Sequence, residues 1–145
     1  MQERFTLFDI PRIARQLLTV LRPVEDRATI LALSGELGAG KTALAQAIGA
    51  ALGVAEQMVS PTFVLMKQYQ TPAGPFTTII HIDAYRIENE AELLPIHFEA
   101  LTQQGNTLII IEWPEHIAAA LAGRVVFRYT LSHLESDERM IEQLP

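Results

Sequence analysis

Cysteine is absent from this 145-residue chain, and lysine occurs only twice, at Lys41 and Lys67. The first absence excludes disulfides, thiolate nucleophiles and Cys-ligated zinc or iron–sulfur clusters, and it fits a reducing, cytoplasmic compartment. The scarcity of lysine leaves 11 basic residues against 17 acidic ones and a net charge of −6. That balance argues against a surface that grips a nucleic-acid backbone directly, because such binding needs clustered Lys and Arg to displace counterions. No apolar run approaches the roughly 18 residues of a membrane span, and residues 1–8 lack the charged start and long apolar stretch of a secretory signal. No internal repeat, low-complexity tract or Ser/Gly linker marks a boundary. With 49% apolar residues, the expectation is one soluble domain over 1–145 with no membrane association.

The pattern along the chain alternates helix with strand. Asp9 as N-cap and Pro11 in a first turn open a helix carrying Ile13, Leu17, Val20 and Leu21, which Pro23 stops. Thr29 to Leu33 is a short uninterrupted apolar run, as in a parallel strand covered on both faces. Lys41 to Leu52 carries Leu44, Ile48 and Ala51/Leu52 on one helical face. Phe63 to Gln70 and Phe76 to Ile82 read as the strands of a hairpin joined by turn chemistry at 71–75. Glu88 to Gln104 is weakly helical and broken by Pro95. Leu108 to Ile111 is a buried strand, Glu115 to Leu121 a short Ala-rich helix, and Val125 to Leu131 a last strand. This order predicts a three-layer α/β fold with a mostly parallel sheet and added antiparallel hairpin strands.

Between the first apolar strand and the second helix lies Gly35-Glu-Leu-Gly-Ala-Gly-Lys41-Thr42, a full match to G-x-x-x-x-G-K-[ST] in the required context. Gly35, Gly38 and Gly40 free the backbone to turn successive N–H groups, with that of Ala39, into one concavity that accepts phosphate oxygens. The following helix adds its positive end. Lys41 supplies a charge for the β- and γ-phosphates, and Thr42 offers a hydroxyl to Mg²⁺. At ordinary glycine usage of about 7%, the fixed positions match by chance in well under ~1% of chains this long. The motif therefore predicts a P-loop NTPase fold that binds a nucleoside triphosphate.

Such a site needs a further carboxylate at a strand end to hold Mg²⁺ and polarise water. Two stretches run straight into an acid, at Ile79-Ile-His-Ile-Asp83 and Ile109-Ile-Ile-Glu112. If both strands lie parallel to the P-loop strand, Thr42, Asp83 and Glu112 converge. In Ser60-Pro61-Thr62-Phe63, Pro61 stiffens the segment that presents Thr62; a γ-phosphate sensor and a plain turn both fit. His81 shares a strand face with Asp83, and a structural role is its default. Trp113 fits either core packing or a nucleotide-facing position. Neither lysine sits in an Asn/Thr-Lys-x-Asp base-reading motif, which favours ATP. Between Thr42 and Asp137 the arginines are Arg86, Arg124 and Arg128, too few for the Arg-rich lid of a small-metabolite kinase. That kinase and a non-hydrolysing nucleotide-sensing module remain the rival readings.

Together, GELGAGKT, SPTF at 60–63, HIDAYR at 81–86 and IEWPE at 111–115 resemble the TsaE (YjeE) family over roughly the first 120 residues. The resemblance implies an ATPase with weak intrinsic activity that serves synthesis of N6-threonylcarbamoyladenosine on tRNA. It implies ATP and Mg²⁺ as cofactors, TsaD and TsaB as protein partners, and contact with tRNA only through that assembly. Carried over to this sequence, it makes residues 38–42 the phosphate cradle and Thr42 and Glu112 the Mg²⁺ ligands. Asp83 becomes an acid near the metal or attacking water, Thr62 a switch-like residue, and Tyr85-Arg86 a partner-sensitive segment. Which of Asp83 and Glu112 activates water stays open. For the adenine, it offers Asp9, Ile10 and Arg139.

Overall fold

The computed structural model describes residues 1–61 and 63–145. Its centre is β2 (Thr29–Ser34), whose apolar run TILALS is buried almost throughout. This strand is flanked by β5 (Thr107–Glu112) on one side and β6 (Val126–His133) on the other, both parallel to it. Next to β5, also parallel, lies β4 (Thr78–Asp83). β3 (Met66–Gln70) closes that edge antiparallel to β4. The opposite edge is closed by β7 (Arg139–Leu144), antiparallel to β6, and then β1 (Gln2–Phe5), antiparallel to β7. The sheet order is therefore β1-β7-β6-β2-β5-β4-β3.

Side chains alternate across this sheet as a period of two requires, so each strand feeds two cores. On one face, Leu31, Leu33, Ile79, Leu108 and Ile110 pack with Ile13, Leu17, Leu44 and Ile48. Those last four belong to α1 (Ile10–Val20) and α2 (Lys41–Ala51). On the other face, Ile30, Ile80, Ile82, Ile109 and Ile111 pack with Leu93, Phe98, Leu101, Ile117 and Leu121. The covering pieces here are short: 3₁₀ turns at Glu90–Ile96 and Pro114–Ile117, α3 (Phe98–Thr102) and α4 (Ala118–Leu121). Each fully covered Leu or Ile contributes about 1.5–3 kcal/mol of transfer free energy, so the two-faced sheet carries most of the drive to fold. The result is the three-layer α/β arrangement anticipated from the sequence. Among the described residues, no helix is long and apolar enough to cross a membrane.

Several local expectations change. Asp9 precedes α1 but makes no side-chain cap to it. Its carboxylate turns back to accept from the Thr6 backbone N–H and hydroxyl, closing a capping box over a 3₁₀ turn at Leu7–Asp9. In α2, Leu44 and Ile48 are buried as expected, and Leu52 follows just past the helix, whereas Ala51 is exposed. The hairpin forms, but its strands start later than expected, at Thr78 and at Met66, the latter just after Leu65 turns the chain with a φ of 67°. The weakly helical stretch splits at His97 (φ 52°) into the 3₁₀ turn that contains Pro95 and the short α3. The Ala-rich helix is a 3₁₀ turn leading into α4. Two strands that the sequence pattern does not announce, β1 and β7, complete the sheet.

Candidate functional site

The loop after β2 lies where the chain's crossovers depart to opposite sides of the central strand, the usual place for a ligand in an open parallel sheet. Gly35 has a φ of 142°, and a Cβ there would stand 2.2 Å from the Leu131 carbonyl oxygen, so the loop can lie against β6 only as glycine. Gly40, at φ 112°, is the residue from which α2 springs. No side chain caps that end, which leaves the first helical N–H groups facing the loop's concavity.

Lys41 is 4% exposed. Its Nζ donates to the carbonyls of Gly35 (2.5 Å) and Glu36 (2.9 Å). The same ammonium sits 4.4 Å from the centroid of the Trp113 ring. Burial pushes the Lys41 ammonium below its ordinary range; the carboxylates of Glu112, Asp83, Glu115 and Glu36 pull it back up. A bound polyphosphate would supply the negative charge that this buried cation lacks in its immediate contacts.

The two strand-end acids meet beneath the loop. Asp83 and Glu112 are register partners across β4 and β5, and both are almost fully buried. Thr42 Oγ1 lies 2.9 and 3.0 Å from the two Glu112 carboxylate oxygens. Asp83 accepts from the Tyr85 backbone N–H (3.0 Å) and from the Ser60 hydroxyl (3.4 Å). Among the described residues, no group of three or more His, Asp or Glu side chains could hold a metal ion by itself. A hydroxyl and a carboxylate in contact, with a second acid beside them, do fit Mg²⁺, which prefers one or two hard protein ligands and completes its shell with phosphate oxygens and water.

Trp113 adopts the left-handed region at φ 60°, unusual for a bulky residue. The turn is held by its N–H on the Leu33 carbonyl (3.2 Å), by buried Pro114, and by rings on both sides, Tyr85 at 5.1 Å and His116 at 5.6 Å. Gly38, Gly40, Lys41, Thr42, Asp83, Glu112 and Trp113 all line one cleft of about 410 Å³. Gly35 lies behind it against β6, and Ala39 is buried in the core beneath the loop. Thr62, which the resemblance made a switch-like residue, lies outside the described residues.

The cleft also takes in Leu7, which lies in no motif, and Leu37 and Ser60, which lie inside the glycine loop and the SPTF stretch but were not singled out as site residues. Of the three adenine candidates, Arg139 reaches the cleft from β7, whereas Asp9 and Ile10 do not line it. Tyr85 faces the cleft, while Arg86 stacks over the Phe63 ring (4.8 Å) on the neighbouring surface. His81 Nε2 also lies 2.7 Å from Glu112 Oε2, a link the sequence hid, since a lone histidine on an apolar strand carries no spacing signal.

The family model described as threonylcarbamoyl adenosine biosynthesis protein TsaE matches residues 7–141. The chain belongs to the TsaE family. Among its TsaE relatives, the tRNA threonylcarbamoyladenosine biosynthesis protein TsaE of Mycobacterium bovis is 39% identical over 101 residues, which cover 66% of this chain and 59% of that protein. The protein of the same name from Synechocystis sp. is 37% identical over 92 residues, covering 61% of this chain and 56% of that protein. The aligned regions thus span well under two thirds of these relatives' own lengths. A crystal structure of Bacillus subtilis YdiB superposes with a TM-score of 0.75 at 22% identity, covering 99% of this chain and 83% of that one. That likeness, across all three layers, establishes the P-loop NTPase fold for this TsaE-family chain.

Proposed function

We propose that this chain binds and hydrolyses ATP with Mg²⁺ and thereby supports formation of threonylcarbamoyladenosine on tRNA, acting on the TsaB–TsaD protein pair. The observation that carries the reading is the contact of Thr42 with Glu112 beneath the glycine loop, with Asp83 in register beside it, in a chain matched by the TsaE family model over residues 7–141. In this reading the loop amides and the start of α2 bind the phosphates, and Lys41 exchanges its two backbone acceptors for phosphate oxygens. Thr42 and Glu112 hold the metal, and Asp83 stands on the same side to orient water. When bound, Mg²⁺ would supply positive charge to offset that of the phosphates.

Two features favour action on proteins, one weighing against a small acceptor and the other against tRNA. Arg86, Arg124 and Arg128 do not line the cleft. Arg86 lies over Phe63, and Arg124 pairs with Glu99. The net charge of −6 also disfavours an independent grip on tRNA. The test is reconstitution of the tRNA modification with this chain present, absent, or carrying Lys41→Ala, together with ATP turnover measured with and without TsaB and TsaD. The expected outcome is modification that depends on the wild-type chain, with slow turnover alone that rises when the partners are added. Equal turnover in both conditions, or full modification with Lys41→Ala, contradicts the reading.

A further inference from the structure

Glu112 is held from two directions. Thr42 approaches it from α2, and His81, 0% exposed, brings Nε2 to 2.7 Å from Glu112 Oε2. The register explains the approach: His81 pairs with Ile110, two residues before the Asp83–Glu112 pair, so its ring projects from the same face of the sheet as both acids. Its other nitrogen, Nδ1, is buried without a hydrogen-bond partner among the described residues. That orphan fixes the tautomer. A proton on Nδ1 would be a buried donor with nothing to donate to, and it would leave two lone pairs facing each other between Nε2 and Oε2. The ring proton therefore sits on Nε2 and is donated to the carboxylate.

We propose that His81 is a positioning residue, whose Nε2–H fixes the Glu112 carboxylate in the orientation needed to share a Mg²⁺ ion with the Thr42 hydroxyl. The inference rests on the nucleotide reading above and adds to it a specific support for the metal ligand. A glutamate side chain has three rotatable bonds. With only Thr42 to hold it, the carboxylate could swing toward the Lys41 ammonium, and donation to Oε2 pins it while leaving Oε1 to Thr42 and to a metal. Partners of this kind behind a metal ligand change metal affinity or activity by about 10–100-fold when removed.

The test is calorimetric binding of ATP in Mg²⁺ and, separately, in EDTA, using the full chain. Wild type should bind more tightly in Mg²⁺. His81→Phe keeps the ring volume and removes the donor; it should leave the EDTA affinity in place and lose about tenfold or more of the Mg²⁺-dependent gain. His81→Gln, whose amide N–H reaches a similar point, should recover much of that gain, and the shorter His81→Asn should not. Glu112→Gln should abolish the gain, and His81→Phe added to it should change nothing further.

The inference is overturned by a full Mg²⁺ gain in His81→Phe, by equal loss with and without metal, or by an additional loss in the double variant. Should His81→Phe fail to fold, the Gln and Asn variants carry the same comparison, and equal gains in both overturn it. If wild type binds ATP with no Mg²⁺ gain, the inference fails while the nucleotide site stands. If wild type binds no ATP in either buffer, the nucleotide reading itself fails.

Discussion

At Gly35 the demands of the loop and of the sheet fall on one atom. A methyl group there would meet the Leu131 carbonyl of β6 at 2.2 Å, and the φ of 142° is closed to side-chain-bearing residues. Gly123 offers a matched contrast, with a φ of 77° and nothing within 4 Å of an added Cβ. Gly35→Ala should therefore cost clearly more stability than Gly123→Ala, by about 2 kcal/mol or more, since backbone strain of about 1–3 kcal/mol is joined by a backbone clash. Thermal or denaturant unfolding of the two variants measures this, and equal losses would refute the close approach. The glycines of the loop were readable because a phosphate cradle constrains residue type at fixed spacing. Nothing in the sequence pattern links His81 to Glu112, because their contact depends on the register between two strands separated by 23 residues of chain.

Among the elements, the parallel strands were the most legible. Runs such as TILALS and TLIIIE leave no polar face, and only a strand covered on both sides tolerates that. The edge strands β1 and β7 were not legible. QERF is short and mostly solvent-facing, and RMIEQL alternates burial only because β6 and β1 pair with it. Pairing between distant segments is a tertiary effect that local preference does not encode. The same limit bears on Asp9, which does occupy the N-cap position of α1 but whose carboxylate serves Thr6 one turn earlier and not the helix.

The backbone N–H and the hydroxyl of Thr6 hold the Asp9 carboxyl below its ordinary value near 3.8. A carboxyl depressed in the folded state stabilises the fold above its unfolded pKa and loses that contribution as pH falls through the folded value. Asp9→Asn should thus be less stable than wild type at pH 7, and the difference should vanish as pH falls below 3.8. A difference in unfolding midpoint that stays constant across that window would show that the ionised carboxylate is not what matters.

Across the whole molecule, the cleft draws on parts remote in sequence: the loop after β2, the ends of β4 and β5, and Arg139 from β7. The glycine motif and two apolar runs that end in acids sufficed to anticipate the first three, because parallel neighbours put their C-terminal ends on one side. Leu7 could not be anticipated, since the edge segment that brings it in carries no recognisable pattern, and Arg139 was reached only through the family resemblance, as a candidate for the adenine. Trp113 stands where these parts meet, 4.4 Å from the Lys41 ammonium and beside Tyr85, and it is the chain's single tryptophan. The protein accordingly carries its own optical reporter. A cation resting on an indole face alters its emission, and drawing the ammonium away toward an anion should shift the fluorescence intensity or wavelength without any label. If ATP binding seen by calorimetry leaves that emission unchanged, the amine has not left the ring.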